Sequence, residues 1–159
     1  MFRITKLADY GVLLMAQFAR DAGKLYNAAE LAELAHLPQP TVSKILQILL
    51  REGMLESVRG VNGGYRLTRS PQEISIRDII VAMEGPIALT ECNLEDGSHC
   101  EQESSCSIRG NWQRINHAIR DALGHISLSD MLQPQFAPAI QMQKGAPGEG
   151  SSFMQESGA

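Results

Sequence analysis

Three short helices are predicted in the first half of the chain, because apolar residues recur there every three or four positions. The first helix covers residues 5–20. The second begins after Asn27, which stands three residues before Glu30 in the spacing of a capping box. The third begins at Pro40, where the missing N–H of proline costs nothing, and ends at Gly53. The second and third helices, joined by a tight turn, are typical of a helix-turn-helix.

A basic hairpin is predicted directly after this helix-turn-helix. Residues 54–59 alternate as a strand, and residues 65–68 form the return strand. The turn between them contains three glycines and an asparagine, which allow the positive φ angles of a tight hairpin. With a further capped helix from Ser75 to about Met83, residues 1–84 are predicted to form a winged helix-turn-helix domain.

The second half of the chain is predicted to contain a loop, a long helix and a tail. Residues 85–107 form a cysteine-bearing loop, and residues 133–159 are rich in Pro, Gly, Ser and Gln, which predicts a disordered tail. Between them, residues 108–132 are predicted to form a dimerisation helix and a short C-terminal helix. Their apolar positions have the spacing of a coiled-coil seam: Ile108, Trp112, Ile115, Ile119, Ala122 and Ile126.

The fold class that follows is mainly α with a small β wing, a winged helix-turn-helix plus a long dimerisation helix. Because the winged helix is expected to close its own core, the apolar seam needs another surface to pack against, and a second copy of the chain would provide it. We therefore expect a homodimer, which places two recognition helices roughly 34 Å apart and implies a pseudo-palindromic operator.

The charge is divided unevenly along the chain. The 159 residues carry a formal charge of −4, which argues against a nonspecific binder of polyanions. Residues 1–70, however, hold nine Lys/Arg against six Asp/Glu, whereas residues 71–159 hold five against twelve. The N-terminal half is thus basic (+3) and the C-terminal half acidic (−7), which favours double-stranded DNA as the partner of the first half.

Five residues are the candidate DNA contacts. Thr41, Ser43 and Lys44 lie at the N-terminal end of the predicted recognition helix, the part that enters a major groove. Arg59 and Arg66 flank the wing, where a guanidinium can bind phosphate or a narrow minor groove. A winged helix that binds another protein is the alternative.

The three cysteines lie in one acidic segment, as Cys92, Cys100 and Cys106. Their polar neighbours disfavour a core role, and an odd count suggests a reducing compartment. Structural zinc prefers C-x2-C pairs and four ligands, neither of which the three cysteines provide. A disulfide switch would use only two of the three thiols, and an iron–sulfur cluster takes soft thiolate ligands. The residues alone leave a zinc site, a disulfide switch and an iron–sulfur cluster open. A redox enzyme is not expected, because the chain has no C-x-x-C motif.

No membrane segment is expected, because no apolar run approaches the ~18 residues that a spanning helix needs. The start of the chain also lacks a basic region followed by an apolar stretch, as a secretory signal would have. We therefore expect a cytoplasmic protein.

Three stretches resemble the Rrf2 family of IscR/NsrR-like iron–sulfur transcription regulators. They are residues 2–11 (FRITKLADYG), residues 58–67 in the wing (VRGVNGGYRL) and the three-cysteine segment. The resemblance extends from residue 1 to about residue 132. Residues 39–46 (QPTVSKIL) look most like the branch that regulates the SUF system of iron–sulfur assembly.

The resemblance implies a homodimer in which Cys92, Cys100 and Cys106 hold an iron–sulfur cluster, either 2Fe–2S or 4Fe–4S. IscR-like members have a histidine three residues after the last cysteine, but this chain has Arg109, which cannot bind iron. Asp9 matches the aspartate that supplies the fourth ligand from the partner subunit in NsrR-like members. His99 is a rival ligand, and a surface carboxylate is the alternative role for Asp9.

The function implied is a DNA-binding repressor that senses iron–sulfur cluster status and controls iron–sulfur assembly genes. A repressor of the same fold that responds to nitric oxide or redox stress is one alternative. The other is a zinc-stabilised DNA-binding protein without a sensing role.

Overall fold

The computed structural model describes residues 3–94 and 105–134. The described part consists of helices α1 (Lys6–Arg20), α2 (Ala28–Ala35), α3 (Gln39–Arg51), α4 (Ile76–Glu84) and α5 (Arg109–Gly124), strands β1 (Leu55–Val58) and β2 (Gly64–Leu67), and 3₁₀ turns at Glu91–Asn93 and Asp130–Leu132. The predicted fold class, mainly helical with a small β wing, is confirmed. None of the helices in these two stretches is long and apolar enough to cross a membrane.

Side-chain caps explain where three of the helices begin. Thr5 accepts a hydrogen bond from the Ala8 N–H at the start of α1. Ser75 and Asp78 form a complete capping box at α4, with both hydrogen bonds present. Asn27 caps α2 by accepting from the backbone of Glu30, whereas the Glu30 carboxylate bonds to Lys24 instead of returning to Asn27.

The core lies between α1, α3, α4 and the segment that follows α5. Its fully buried side chains include Leu14, Met15, Phe18, Leu31, Ile45, Leu46, Leu49, Ile74, Ile79 and Leu128. Leu128 reaches the core because residues 126–128 pair with the segment before α4, through N–H···O bonds from Ile76 to Ile126 (2.9 Å) and from Leu128 to Ile74 (2.7 Å). The sequence suggested that the winged helix closes its own core; this expectation is wrong. The C-terminal segment completes the core.

The wing is a two-stranded antiparallel sheet that is joined to the segment before α2. Leu55 pairs with Leu67, and Glu56 pairs with Arg66. Tyr26 adds a bridge to Tyr65, with N···O distances of 3.0 and 2.8 Å in the two directions. Through Tyr26, which packs its ring against Phe18 at 5.5 Å, the hairpin is anchored to the helical core.

The predicted coiled-coil seam on α5 is divided between two surroundings. Ile119 and Ile126 pack against the core of their own domain, together with Leu123, which is outside the predicted seam. Ile108 and Ile115 remain 52% and 45% exposed. The helix thus has one face that packs on α4 and another apolar face directed to solvent.

Candidate DNA interface and cysteine segment

The three predicted DNA-contacting residues of the recognition helix lie together at the start of α3. Val42, Ile45, Leu46 and Leu49 are buried on one side of this helix and fix it to the core. On the other side, Lys44 is exposed, and Thr41 and Ser43 are half-buried. The packing therefore presents a hydroxyl- and ammonium-bearing end of α3 to the surroundings.

The start of α3, unlike three of the other four helix N-termini described, has no acidic residue in its first turn; α5 shares this property. Helices α1, α2 and α4 each carry an acidic residue in the first turn, at Asp9, Glu30 and Asp78. Helix α3 has none, and its N-cap residue, Pro38, makes no side-chain capping bond. The partial positive charge of the helix dipole is left for an external anion, so this end of α3 favours a DNA phosphate.

A Schellman motif sets the turn between α2 and α3. His36 has a left-handed backbone (φ 53°, ψ 41°), its N–H bonds to the Glu33 carbonyl, and the Leu37 N–H bonds to the Ala32 carbonyl. In the described residues, His36 is the one non-glycine with positive φ. The sequence predicts a tight turn here, but it does not indicate that His36 is the residue with the left-handed backbone.

The two wing arginines differ in their surroundings. Arg66 pairs with Glu56, its cross-strand neighbour, although both side chains stay nearly half exposed. Arg59 lies at the exposed end of the hairpin, and no ion pair is found for it among the residues described. Because Glu56 neutralises part of the Arg66 charge, Arg59 is the stronger candidate for a phosphate contact. The strand register, which the sequence did not supply, makes this distinction.

Two of the three predicted cysteine ligands lie within the described residues. Cys92 is on the 3₁₀ turn Glu91–Asn93, which packs against α5, and Cys106 lies just before α5. Both cysteines are half-buried and carry free thiols. Cys100 lies outside the described residues, and its role stays a prediction.

A short hydrogen-bond relay holds the thiol of Cys92. The side-chain amide of Asn93 donates to Thr90 Oγ1 at 2.7 Å, and Thr90 Oγ1 lies 3.1 Å from Cys92 Sγ. Either the Thr90 hydroxyl or the Cys92 thiol can be the donor of this contact, since the Thr90 oxygen keeps a second lone pair after it accepts from Asn93. The sequence alone does not indicate a role for Thr90 or Asn93, since neither side chain is a usual metal ligand.

The donor chemistry fits an iron–sulfur cluster, since half-buried thiols on a segment beside a helix end are the ligands that such clusters take. No group of three His, Cys, Asp or Glu side chains suited to a metal ion forms among residues 3–94 and 105–134. Asp9 is exposed in the first turn of α1 and joins no such group with Cys92 and Cys106. Its predicted role as a ligand from the partner subunit stays a prediction.

The cysteine segment leaves the domain beside the start of α1. The Glu84 carboxylate, at the end of α4, accepts a hydrogen bond of 2.7 Å from the Thr5 N–H. Gly85 follows with φ 88°, a conformation that suits glycine, and turns the chain away from α4. The helix that carries Asp9 is thus tied to the residue from which the cysteine segment departs.

Asn116 fixes the same segment to α5 from the other side. Its side chain is 4% exposed, accepts from the Leu89 N–H at 3.1 Å and donates to the Ile87 carbonyl at 3.2 Å. Asn116 is not among the functional residues predicted from the sequence. The sequence does contain a signal for it, because Asn116 stands at helical spacing from Trp112, Ile119 and Leu123 and should share their buried face. A buried amide needs hydrogen-bond partners.

Comparison with known proteins gives a consistent result for both the sequence and the fold. Residues 4–134 match the model of the Rrf2 family, described as an iron-dependent transcriptional regulator. The transcriptional regulator NsrR of Bacillus licheniformis is 26% identical over 134 residues, covering 84% of this chain and 94% of that protein.

Two solved structures have similar folds. CymR, described as the global cysteine regulator of B. subtilis, gives a TM-score of 0.66 at 30% identity, over 82% of this chain and 96% of that one. IscR of T. potens gives a TM-score of 0.64 at 27% identity, over 82% and 86% of the two chains. NsrR and CymR are transcriptional regulators, which agrees with the exposed Lys44 of α3 and the basic wing.

Proposed function

The chain belongs to the Rrf2 family of transcriptional regulators, and from that premise we propose that it is a repressor whose affinity for DNA depends on an iron–sulfur cluster. The cluster is held by Cys92, Cys100 and Cys106. The observation that carries the proposal is the position of the cysteine segment, which is bonded to α5 through Asn116 and begins directly after Glu84, the last residue of α4, whose carboxylate is bonded to the start of α1. A change at the cysteines therefore acts on both α5 and α1.

The DNA interface consists of the start of α3 and the wing. The helix end contributes Thr41, Ser43 and Lys44, and the wing contributes Arg59 and, to a lesser extent, Arg66. Support comes from the exposed Lys44, the absence of acidic residues in the first turn of α3 and the basic charge of residues 1–70. Hydroxyl and ammonium groups at this position reach phosphates and base edges.

A second copy of the chain covers the exposed apolar face of α5. Ile108 and Ile115, at 52% and 45% exposure, lie two helical turns apart on this face and support a homodimer. A dimer presents two α3 helices to a pseudo-palindromic site on double-stranded DNA. In such a dimer, Asp9 of one subunit is the proposed fourth ligand of the cluster in the other.

Regulation follows from a difference in DNA affinity between the loaded and the empty protein. A ligand shifts such an equilibrium only through unequal affinity for the two conformations. When the cluster ties the segment of one subunit to α1 of the other, it fixes the separation of the two α3 helices. Adequate cluster supply then maintains repression of iron–sulfur assembly genes, as in the SUF system, and cluster loss releases it.

Two other functions remain as alternatives for the same fold. A response to nitric oxide or redox stress uses the same cluster with a different stimulus. A zinc ion on the cysteines stabilises the segment without a sensing role. CymR, a family member described as a cysteine regulator, makes it necessary to test the cluster directly rather than to rely on the family.

The test is to purify the full chain without oxygen and to measure visible absorbance, iron, sulfide and zinc. We expect a coloured protein with iron and sulfide bound, and loss of the colour in Cys92→Ser, Cys100→Ser and Cys106→Ser. Stoichiometric zinc in a colourless protein would overturn the iron–sulfur proposal.

Asp9→Asn supplies a matched test of the fourth ligand, because the amide keeps the shape of the carboxylate. We expect this variant to fold and to lose its cluster faster than the wild type on exposure to air. An unchanged rate of loss would return Asp9 to the role of a surface carboxylate at the start of α1.

A further inference from the structure

Asn116 is an unusual residue at its place in the fold. It is the polar side chain buried among the described residues, on a helix face whose other contacts are apolar. Burial of an amide without partners costs roughly 1–3 kcal/mol per unsatisfied group, so such a residue needs precise bonds to be tolerated. Asn116 has these bonds, and both of them lead to the backbone of one short segment.

The two bonds form a clamp on the start of the cysteine segment. Asn116 Oδ1 accepts from the Leu89 N–H, and Asn116 Nδ2 donates to the Ile87 carbonyl. An N–H and a C=O two residues apart on one edge of a chain are the groups that a neighbouring strand would pair with. The Asn116 amide thus makes the two hydrogen bonds that a peptide group of an adjacent strand would make. A leucine of similar size offers neither atom.

The clamp lies between the thiol of Cys92 and the exposed face of α5. Leu89 precedes Thr90, whose hydroxyl contacts Cys92 Sγ at 3.1 Å. On α5, Ile115 is adjacent to Asn116 and is 45% exposed. Ile87 itself is buried in the core. A displacement at Cys92 therefore has a hydrogen-bonded route to α5 through Thr90, Leu89 and the Asn116 amide, beside the packing of the Glu91–Asn93 turn on α5.

We propose that Asn116 is the positioning residue that transmits the state of the cysteine segment to α5, and so to the spacing of the two DNA-binding units. This inference rests on the proposed cluster-dependent function. Its physical basis is geometric: the amide bonds two backbone atoms of the segment at once, so the segment and the helix move as one body. Without the amide, the segment shifts while α5 stays where Ile119 and Leu123 hold it.

Coupling between the cluster and DNA measures this transmission. The coupling factor is the DNA affinity of the loaded protein divided by that of the apo protein, and such factors are typically about 5–150 between linked sites. We expect Asn116→Leu to bring the factor to within about threefold of one. A residue that only stabilises the fold changes the DNA affinity of both forms equally and leaves the factor as it was.

The experiment uses the full chain, loaded without oxygen with ferrous iron and sulfide, or left apo. The probe is a duplex of roughly 30 base pairs, long enough for two half-sites one turn apart, selected by the wild-type chain from a random pool. DNA affinity is measured for both forms of the wild type, Asn116→Leu, Asn116→Asp and Gln113→Leu. Hydrogen exchange at the Leu89 amide is measured in the apo proteins.

Asn116→Asp guards against misfolding of the leucine variant, because the carboxylate keeps the size of the amide and the acceptor for Leu89. It loses the donor to Ile87, so we expect a reduced coupling factor with the Leu89 amide still protected. Asn116→Leu loses this protection as well. Gln113→Leu is the matched control, since Gln113 is an exposed amide on the same helix and lies away from the face of Ile108 and Ile115. It leaves the coupling factor unchanged.

Failure of the proposed cluster-dependent function and failure of the proposed role of Asn116 give different results. A wild type with a coupling factor of one overturns the cluster-dependent function and the role of Asn116 together. A wild type with clear coupling that survives in Asn116→Leu and Asn116→Asp overturns the role of Asn116 alone. Loss of coupling in both Asn116 variants, but not in Gln113→Leu, supports the inference.

Discussion

The wing is attached to the helical core at a point where only glycine fits, and Gly64→Ala tests that attachment. A Cβ on Gly64 would lie 2.7 Å from the Tyr26 carbonyl oxygen and 2.9 Å from its carbon. Both are backbone atoms, so no side chain can rotate away to relieve the contact. The substitution must push β2 away from Tyr26.

The magnitude follows from the two bonds of the Tyr26–Tyr65 bridge. At about 0.5–1.5 kcal/mol each, loss of both lowers the free energy of unfolding by roughly 1–3 kcal/mol. For a chain of this size, about 2–4 °C of Tm accompanies each kcal/mol, so Tm should fall by roughly 2–12 °C. The wing also loses its fixed orientation, so DNA binding should weaken.

The assay is urea unfolding of the apo protein followed by circular dichroism, at one protein concentration for all variants. Gly110→Ala is the matched control, because Gly110 lies in α5 and a Cβ there has no atom within 4 Å. Alanine in a helix is favoured over glycine by up to about 1 kcal/mol, so this variant should be slightly more stable.

A loss of less than about 0.5 kcal/mol in Gly64→Ala would refute the close approach of Gly64 to Tyr26, since that value lies below the smallest cost of breaking the bridge. Equal losses in Gly64→Ala and Gly110→Ala would also contradict it. They would indicate a general effect of the added methyl group rather than one specific to the wing.

Three further predictions concern the recognition helix, the wing and the C-terminal turn. Arg59→Ala should weaken DNA binding and reduce the slope of log affinity against log salt by about 0.9, whereas Arg59→Lys should retain the slope; equal slopes in a salt titration would exclude a phosphate contact. His36→Gly should raise the free energy of unfolding by up to about 1 kcal/mol, because it relieves the left-handed backbone at φ 53°; a loss in thermal unfolding would contradict this. The Ser127 hydroxyl and N–H hold the pKa of the Asp130 carboxyl below its ordinary value of 3.8. The Asp130 contribution to stability is therefore complete above about pH 3.8 and is lost as the pH falls through the lower folded pKa. Ser127→Ala should raise that pKa in a carbon-detected NMR titration, and an unchanged pKa would refute the assignment.

The helices and the wing could be predicted because their signals are local. Asn27 and Ser75 cap the helices that the sequence assigned to them, and Thr5, where the first helix was predicted to begin, proves to be its N-cap. The apolar spacing of α1 and α3 agrees with their buried faces. These features depend on residues three or four positions apart, which any reading of the sequence can compare. The Cys92–Cys100–Cys106 spacing is local in the same sense, although the ligand role still awaits its test.

The features that were missed depend on pairing between distant residues. Asn116 acquires its role from Ile87 and Leu89, nearly thirty residues earlier. The difference between Arg59 and Arg66 depends on the strand register that puts Glu56 opposite Arg66. Likewise, the division of the α5 seam depends on which side of the helix meets α4.

The sequence by itself determined the class of fold, the basic and acidic halves and the candidate DNA-binding and cysteine residues, because periodicity, capping and composition are properties of the chain alone. Only the tertiary structure decided that residues 126–128 complete the core, that Asn116 attaches the cysteine segment to α5 and that Glu84 attaches the end of α4 to the start of α1. The physical reason is that a buried amide or a paired backbone group has a meaning only once its partner is in place. Such partners come together through packing of the whole domain, which no short pattern contains.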